Sequence, residues 1–162
     1  MPATFEPIAT TTASGSSAVI TFNSIPNTYT DLRIILTGTS STNTGIYVQY
    51  NADTASNYST TQLYGDGTSA ASARQTSVTS MDIGSIWTTL PAFHQIDIFS
   101  YAGSTNKTML HTQSGDQNGS GTIRKKVGLW RSTSAITRVD LTVYSGTFTS
   151  STTATLFGIK AA

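Results

Sequence analysis

Apolar residues recur at every second position over short stretches, and clusters of Gly, Asn, Asp, Ser and Thr break the stretches apart. Period two is the side-chain repeat of a strand, and those clusters are turn formers, so the chain reads as strand and turn throughout. Ile20 and Phe22 share a face within 18–23. Leu32, Ile34 and Leu36 do so next, followed by Ile46, Val48 and Tyr50. Leu63 and Tyr64 close a shorter stretch before the turn at 65–67. The stretch 78–86 carries Met81 and Ile83 and is bulged by Gly84. Within 94–101, Ile96 and Ile98 oppose Phe99 and Tyr101, so both faces of that strand expect cover.

Further along, 106–112 holds Met109 and Leu110, and 122–131 alternates Ile123, Val127 and Leu129 with polar residues. Val139, Leu141 and Val143 form one stripe, and 153–160 places Phe157 and Ile159 on one face. About ten short strands at regular spacing, without a helical stretch, predict an all-β, two-sheet antiparallel sandwich of jelly-roll-like type. No internal repeat or linker interrupts it. Residues 13–162 read as a single domain; residues 1–12, with Pro2, Phe5 and Pro7, read either as an arm that orders on a partner or as a frayed terminus.

Composition agrees. Ser and Thr make up about a third of the 162 residues while only 10% are charged, so uncharged polar groups must supply the surface. Threonine is β-branched and suits a pleated, half-exposed strand. A net charge of +1 is too small for long-range steering onto a nucleic acid or an anionic membrane, so the expected partners include neither. The absence of cysteine removes disulfides and thiolate metal sites. The first residues lack the charged and apolar regions of a signal peptide, and no apolar run reaches the length of a membrane span, so folding in a cytoplasm is expected.

Chemistry is sparse. His94 and His111 are the side chains that titrate near neutrality, but no nucleophile elbow or triad spacing accompanies them, so neither a catalytic residue nor an enzyme is expected. They read as hydrogen-bonded surface histidines, and as a pair of ligands too few for a metal site even if their strands are neighbours. Asp53, Asn57 and Asp66 fall in the loop-rich stretch 51–68; turn chemistry explains them better than calcium, because their spacing matches no calcium loop. No cofactor is implied.

Two surfaces are candidates for contacts. Arg124, Lys125, Lys126, Arg131 and Arg138 hold over half of the basic residues within a short span. They read as a docking patch for an acidic protein surface or, equally, as the guard residues of an edge strand. Trp87 and Trp130, with Tyr47, Tyr50, Tyr58 and Tyr64, are either core aromatics or a platform on which sugar rings stack.

The stretches SIPNTYTDL at 24–32, YNADTASNYS at 50–59 with LYGDG at 63–67, and TATLFGIKAA at 153–162 resemble the small structural proteins of tailed bacteriophages. The resemblance implies a non-enzymatic virion component: a capsid decoration (cement) protein or, alternatively, a tail-fibre, spike or capsid-knob module binding host-surface glycans. For cement, it implies the major capsid protein as partner, a homo-oligomer with a trimer favoured, and a place on the capsid exterior after synthesis in the bacterial cytoplasm. The family's usual loop carries Gly where this chain has Ala52 and Ala55, which puts any role needing special backbone angles there in doubt. The contact residues expected under the cement reading are Phe5 of the arm and the basic span; under the glycan reading they are Trp87 and Trp130.

Overall fold

A computed structural model describes residues 4–160. The described residues form twelve strands and no helix. These are β1 (Phe5–Thr12), β2 (Val19–Phe22), β3 (Asp31–Gly38), β4 (Thr44–Tyr50), β5 (Tyr58–Gly65), β6 (Ala70–Val78), β7 (Met81–Ile86), β8 (Ala92–Phe99), β9 (Lys107–Gly115), β10 (Thr122–Trp130), β11 (Val139–Val143) and β12 (Thr153–Ile159). They assemble into an eight-stranded sheet, ordered β1-β12-β3-β8-β9-β10-β5-β6, and a four-stranded sheet, ordered β2-β11-β4-β7. Each strand pair is antiparallel.

The strand order has a simple decomposition. Strands β1, β12, β3 and β8 face β2, β11, β4 and β7, and the chain crosses between sheets at β1–β2, β2–β3, β3–β4, β4–β5, β6–β7, β7–β8, β10–β11 and β11–β12. That is the wiring of a jelly roll. The hairpins β5–β6 and β9–β10 are insertions, and all four of their strands extend the large sheet beyond β8.

The core lies between the sheets of this jelly roll. Leu32, Ile34 and Leu36 of β3, Ile46 and Val48 of β4, Ile96 and Ile98 of β8, Val139 and Leu141 of β11, and Leu156 of β12 are all buried there. Each alternates with partly exposed or polar neighbours, as the period-two pattern requires.

Two strands were not legible as strands. Residues 5–12, read as an arm or a frayed end, form β1 and pair with β12 from Phe5 opposite Ile159 to Thr12 opposite Thr153. Pro7 is tolerated because β1 is an edge strand and a register shift falls between Pro7 and Ala9. Residues 1–3 of the expected arm lie outside the described residues. The other unread strand is β6, the opposite edge of the same sheet, whose sequence AASARQTSV is mostly exposed.

Gly84 is bulged as expected. Ile46 of β4 pairs with Gly84 and Tyr47 with Asp82, leaving Ile83 unmatched, and Gly84 adopts φ +109°. A Cβ there would sit 1.9 Å from the side-chain oxygen of Gln113, so the position needs glycine for its angle and for its space.

Candidate functional site

The four-stranded sheet covers only half of the eight-stranded one, and this mismatch shapes every candidate site. Beyond β8 the inner face of the extension meets β7, the small sheet's edge strand. Part of that inner face is polar. His94 of β8, His111 and Gln113 of β9, and Lys126 of β10 are buried, with Arg124, Thr60 and Gln62 beside them.

Their hydrogen bonds interlock. His94 Nδ1 lies 3.1 Å from His111 Nε2, and His94 Nε2 lies 3.2 Å from the Ser85 carbonyl. Gln113 brackets Ser85, accepting from its N–H at 3.2 Å and donating to its carbonyl at 3.1 Å. Lys126 Nζ pairs with Asp82 Oδ2 at 2.9 Å and donates to the Asp82 carbonyl at 3.2 Å. Burial pushes His94 down to about 4, with Lys126 and Arg124 nearby adding to the effect. Burial likewise holds His111 well below the usual imidazole range, and the His94 and Lys126 charges reinforce it. Lys126 is lowered by burial and partly restored by Asp82. The expectation of surface histidines is corrected: β8 and β9 are adjacent, and both rings point into the sandwich. Among the described residues, no group of three or more His, Asp or Glu is placed to hold a metal ion.

The outer face of the same extension carries a group of apolar side chains among Ser, Thr and Lys residues. Residues opposite one another across paired strands share a face, so Leu110 of β9, Ile123, Val127 and Leu129 of β10, and Leu63 of β5 lie together on the outside. Leu63 is 61% exposed, Ile123 59% and Val127 50%. Part of the extension thus reverses the pattern of the jelly roll, with His111, Gln113 and Lys126 inside and Leu63, Ile123 and Val127 in solvent, while Tyr58, Met109 and Trp130 remain buried apolar residues on the same inner face. Further along this face, Phe5 stacks on Phe157 at 4.5 Å with Arg33 above its ring, and Phe99 is exposed.

The basic span does not form one surface. Lys125 alone of β10's three basic residues is on the outer face; Arg124 points inward over the Tyr64 ring, and Lys126 is the buried partner of Asp82. Arg131 is exposed past the end of β10, and Arg138 is bound to Asp140 through two hydrogen bonds of 2.8 and 2.9 Å. The edge-strand alternative is corrected as well, since β10 is paired on both sides.

The tryptophans are packing residues. Trp130 is buried, stacked on Tyr58 and edge-on to Tyr50, with its Nε1 donating to Asp53 at 2.7 Å. Trp87 packs flat against Gly115, where a Cβ would meet the indole at 2.1 Å. Trp130 offers no open ring face, and Trp87 is partly buried against the core. Asp53 is held below the usual carboxylate range by hydrogen bonds from Asn57 and Trp130; Asp66 is lowered to about 2 by the Ser69 and Thr68 N–H groups and the Thr68 hydroxyl that it collects. Both are turn formers. A tyrosine pair that faces solvent is Tyr47 and Tyr144, on the outer face of the small sheet, with ring centroids 6.1 Å apart. Tyr144 carried no sequence signal, because it falls just past the end of the β11 stripe.

No family model, no curated protein and no solved structure matches the chain. No helix among the described residues is long and apolar enough to cross a membrane.

Proposed function

We propose that this chain is a non-enzymatic structural protein of a tailed-phage particle, a cement protein that docks on the shell of the major capsid protein through the outer face of its eight-stranded sheet. The observation that carries this reading is the partial inversion of the extension: Leu63, Ile123 and Val127 are exposed where a free sheet face would carry polar residues. Strands roughly 4.8 Å apart, each about seven residues long, give eight strands a face of about 800 Å². That matches one side of a standard protein interface, about 800 Å² per partner.

The charge on this face supports a protein partner. Arg33 pairs with Asp97 at 2.5 Å, so the centre is self-neutralised and association rests on apolar contact and hydroxyl hydrogen bonding. The choice of a phage particle rests on the resemblance of segments 24–32, 50–59 and 153–162 to tailed-phage structural proteins. A homo-oligomer, a trimer in the first instance, would repeat the contact over the lattice.

The experiment is the copy number per virion relative to the major capsid protein, from quantitative mass spectrometry of purified particles. A ratio near one, or a simple lattice fraction, is expected. A handful of copies per particle places the chain on the tail and overturns the cement reading.

A further inference from the structure

We infer that a cleft on the outer face of the four-stranded sheet binds a neutral saccharide, with Tyr47 and Tyr144 as the stacking platform. The cleft encloses about 420 Å³, within the range of small-ligand sites. Its floor is the cross-strand pair Tyr47 and Thr142, with Gln49 beside them; its far wall is the end of β6 and the turn into β7, carrying Gln75 and Ser80. Tyr144 forms the near wall and is 80% exposed, more than any other large apolar or aromatic residue among those described.

The rings are held, not loose. Tyr47 lies across Gly45, where a Cβ would come within 3.3 Å of its ring, and the Tyr144 N–H donates to the Gly45 carbonyl at 2.9 Å. The two rings meet at 48°, so together they form a bent aromatic wall. Burial, with the Asp82 charge next, raises the Tyr47 hydroxyl above its usual range, so it is a neutral donor at any ordinary pH. Neither tyrosine hydroxyl has a hydrogen-bond partner among the described residues. Gln49 spends one amide N–H on the Thr79 carbonyl at 2.9 Å, which fixes its side chain beside the floor.

The chemistry selects the ligand class. All nine lining residues are uncharged. On the small sheet, Asp140 is held by Arg138 and the Thr21 hydroxyl and Asp82 by Lys126, while Arg74, next to Gln75, donates to the Thr61 hydroxyl. A charged ligand would find no counter-ion and would lose hydration without compensation. The C–H-rich face of a pyranose carries slight positive charge and fits the negative face of an aromatic ring, while its equatorial hydroxyls match the amides and hydroxyls of Gln49, Gln75, Thr142 and Ser80. The site is on the sheet opposite the apolar face, so it stands whether or not that face docks on a shell.

The test is titration of the full chain, followed by amide NMR, with maltohexaose, cellohexaose and chitotriose as neutral probes and oligogalacturonate as the charged control. Shifts confined to Gly45, Tyr47, Thr142 and Tyr144 are expected with at least one neutral probe and none with the control. Tyr144→Ala should weaken that binding by about tenfold or more while leaving the thermal midpoint unchanged, since the ring is exposed. Tyr144→Phe should retain most of it. The proposal is overturned if no neutral probe shifts these residues at tens of millimolar, if the shifts survive Tyr144→Ala, or if a proline-rich peptide occupies the cleft and the sugars do not.

Discussion

His111 donates its Nε2 proton to Nδ1 of His94. The direction follows from the far end of the pair: the Ser85 carbonyl accepts only, so His94 Nε2 carries the hydrogen and its Nδ1 is left as a bare acceptor 3.1 Å from His111. Both rings are therefore neutral, and His111 Nδ1 is buried without a hydrogen-bond partner. Any added proton would place a cation beside Lys126 and Arg124, with Asp82 already committed to Lys126.

Acid lability follows from that pair. The folded-state value of His94 is about 4, against 6.5 for the unfolded chain, so protons bind preferentially to the unfolded state between those limits. The stability is fully present above about pH 6.5 and is lost as pH falls towards about 4. His94 alone accounts for a loss on the order of 3 kcal/mol, and His111 adds to it in the same direction. Urea unfolding between about pH 7 and about pH 4.5 should show the decline, and His111→Leu should flatten it. Equal stability at both ends would mean the rings are not buried neutral.

The ion pair beneath β10 should respond asymmetrically to its two halves. Asp82→Asn removes the charge that balances a buried ammonium, yet its oxygen can still accept the Gly84 N–H that Asp82 Oδ1 now holds at 2.6 Å. A loss of about 3 kcal/mol is expected, because an unpaired buried cation is left behind. Lys126→Met removes the charge and keeps the stem, so it should cost less than about 1 kcal/mol or stabilise. Chemical denaturation of the two variants decides it; equal losses would show that the pair contributes net attraction.

How far the sequence discloses this fold depends on how each strand is covered. The stripes of β3, β4 and β11 are plain because one face of each is core and the other is open. In β10 and β12 the conspicuous apolar sets, Ile123 with Val127 and Leu129, and Phe157 with Ile159, lie on the outer face, while Lys126, Gly128, Trp130, Ala154 and Leu156 are buried. Period two gives the faces but not which one is inside. The edge strands β1 and β6 bury little and so carry little pattern. The polar cluster was partly visible, since His111 alternates with Met109 and Gln113, but its carboxylate lies 44 residues from Lys126 and only pairing of β7 across the extension unites them.

The partial inversion of the extension separates folding from docking. Leu63, Ile123 and Val127 are at least half exposed, so replacing all three by threonine should change stability by no more than about 1 kcal/mol, and threonine keeps the β-branching that strands favour. On the proposed cement reading, the parent protein should co-sediment with expanded or mature shells and the same triple variant should not. Decoration at full occupancy by the folded variant would move the contact surface elsewhere.

Ala52 holds φ +54° beside Asn51 at φ +51°, in the tight turn after β4, at the first of the two positions where the sequence resemblance leads glycine to be expected. Asparagine tolerates the left-handed region better than most residues, and Asn51 is held there by tertiary bonds: its oxygen accepts from the Thr137 and Arg138 N–H groups at 2.9 and 3.1 Å. Alanine has no such compensation, and its Cβ makes the angle costly by roughly 1 kcal/mol. Ala52→Gly relieves that strain at the expense of a more flexible unfolded chain, so a net gain of about 0.5 kcal/mol is expected. Ala55, the second position, has no positive φ among the described residues, so Ala55→Gly should instead lose up to about 1 kcal/mol. Opposite signs for the two substitutions in thermal unfolding would establish that the left-handed strain falls at Ala52 and not at Ala55; gains at both would mean the loop is strained throughout.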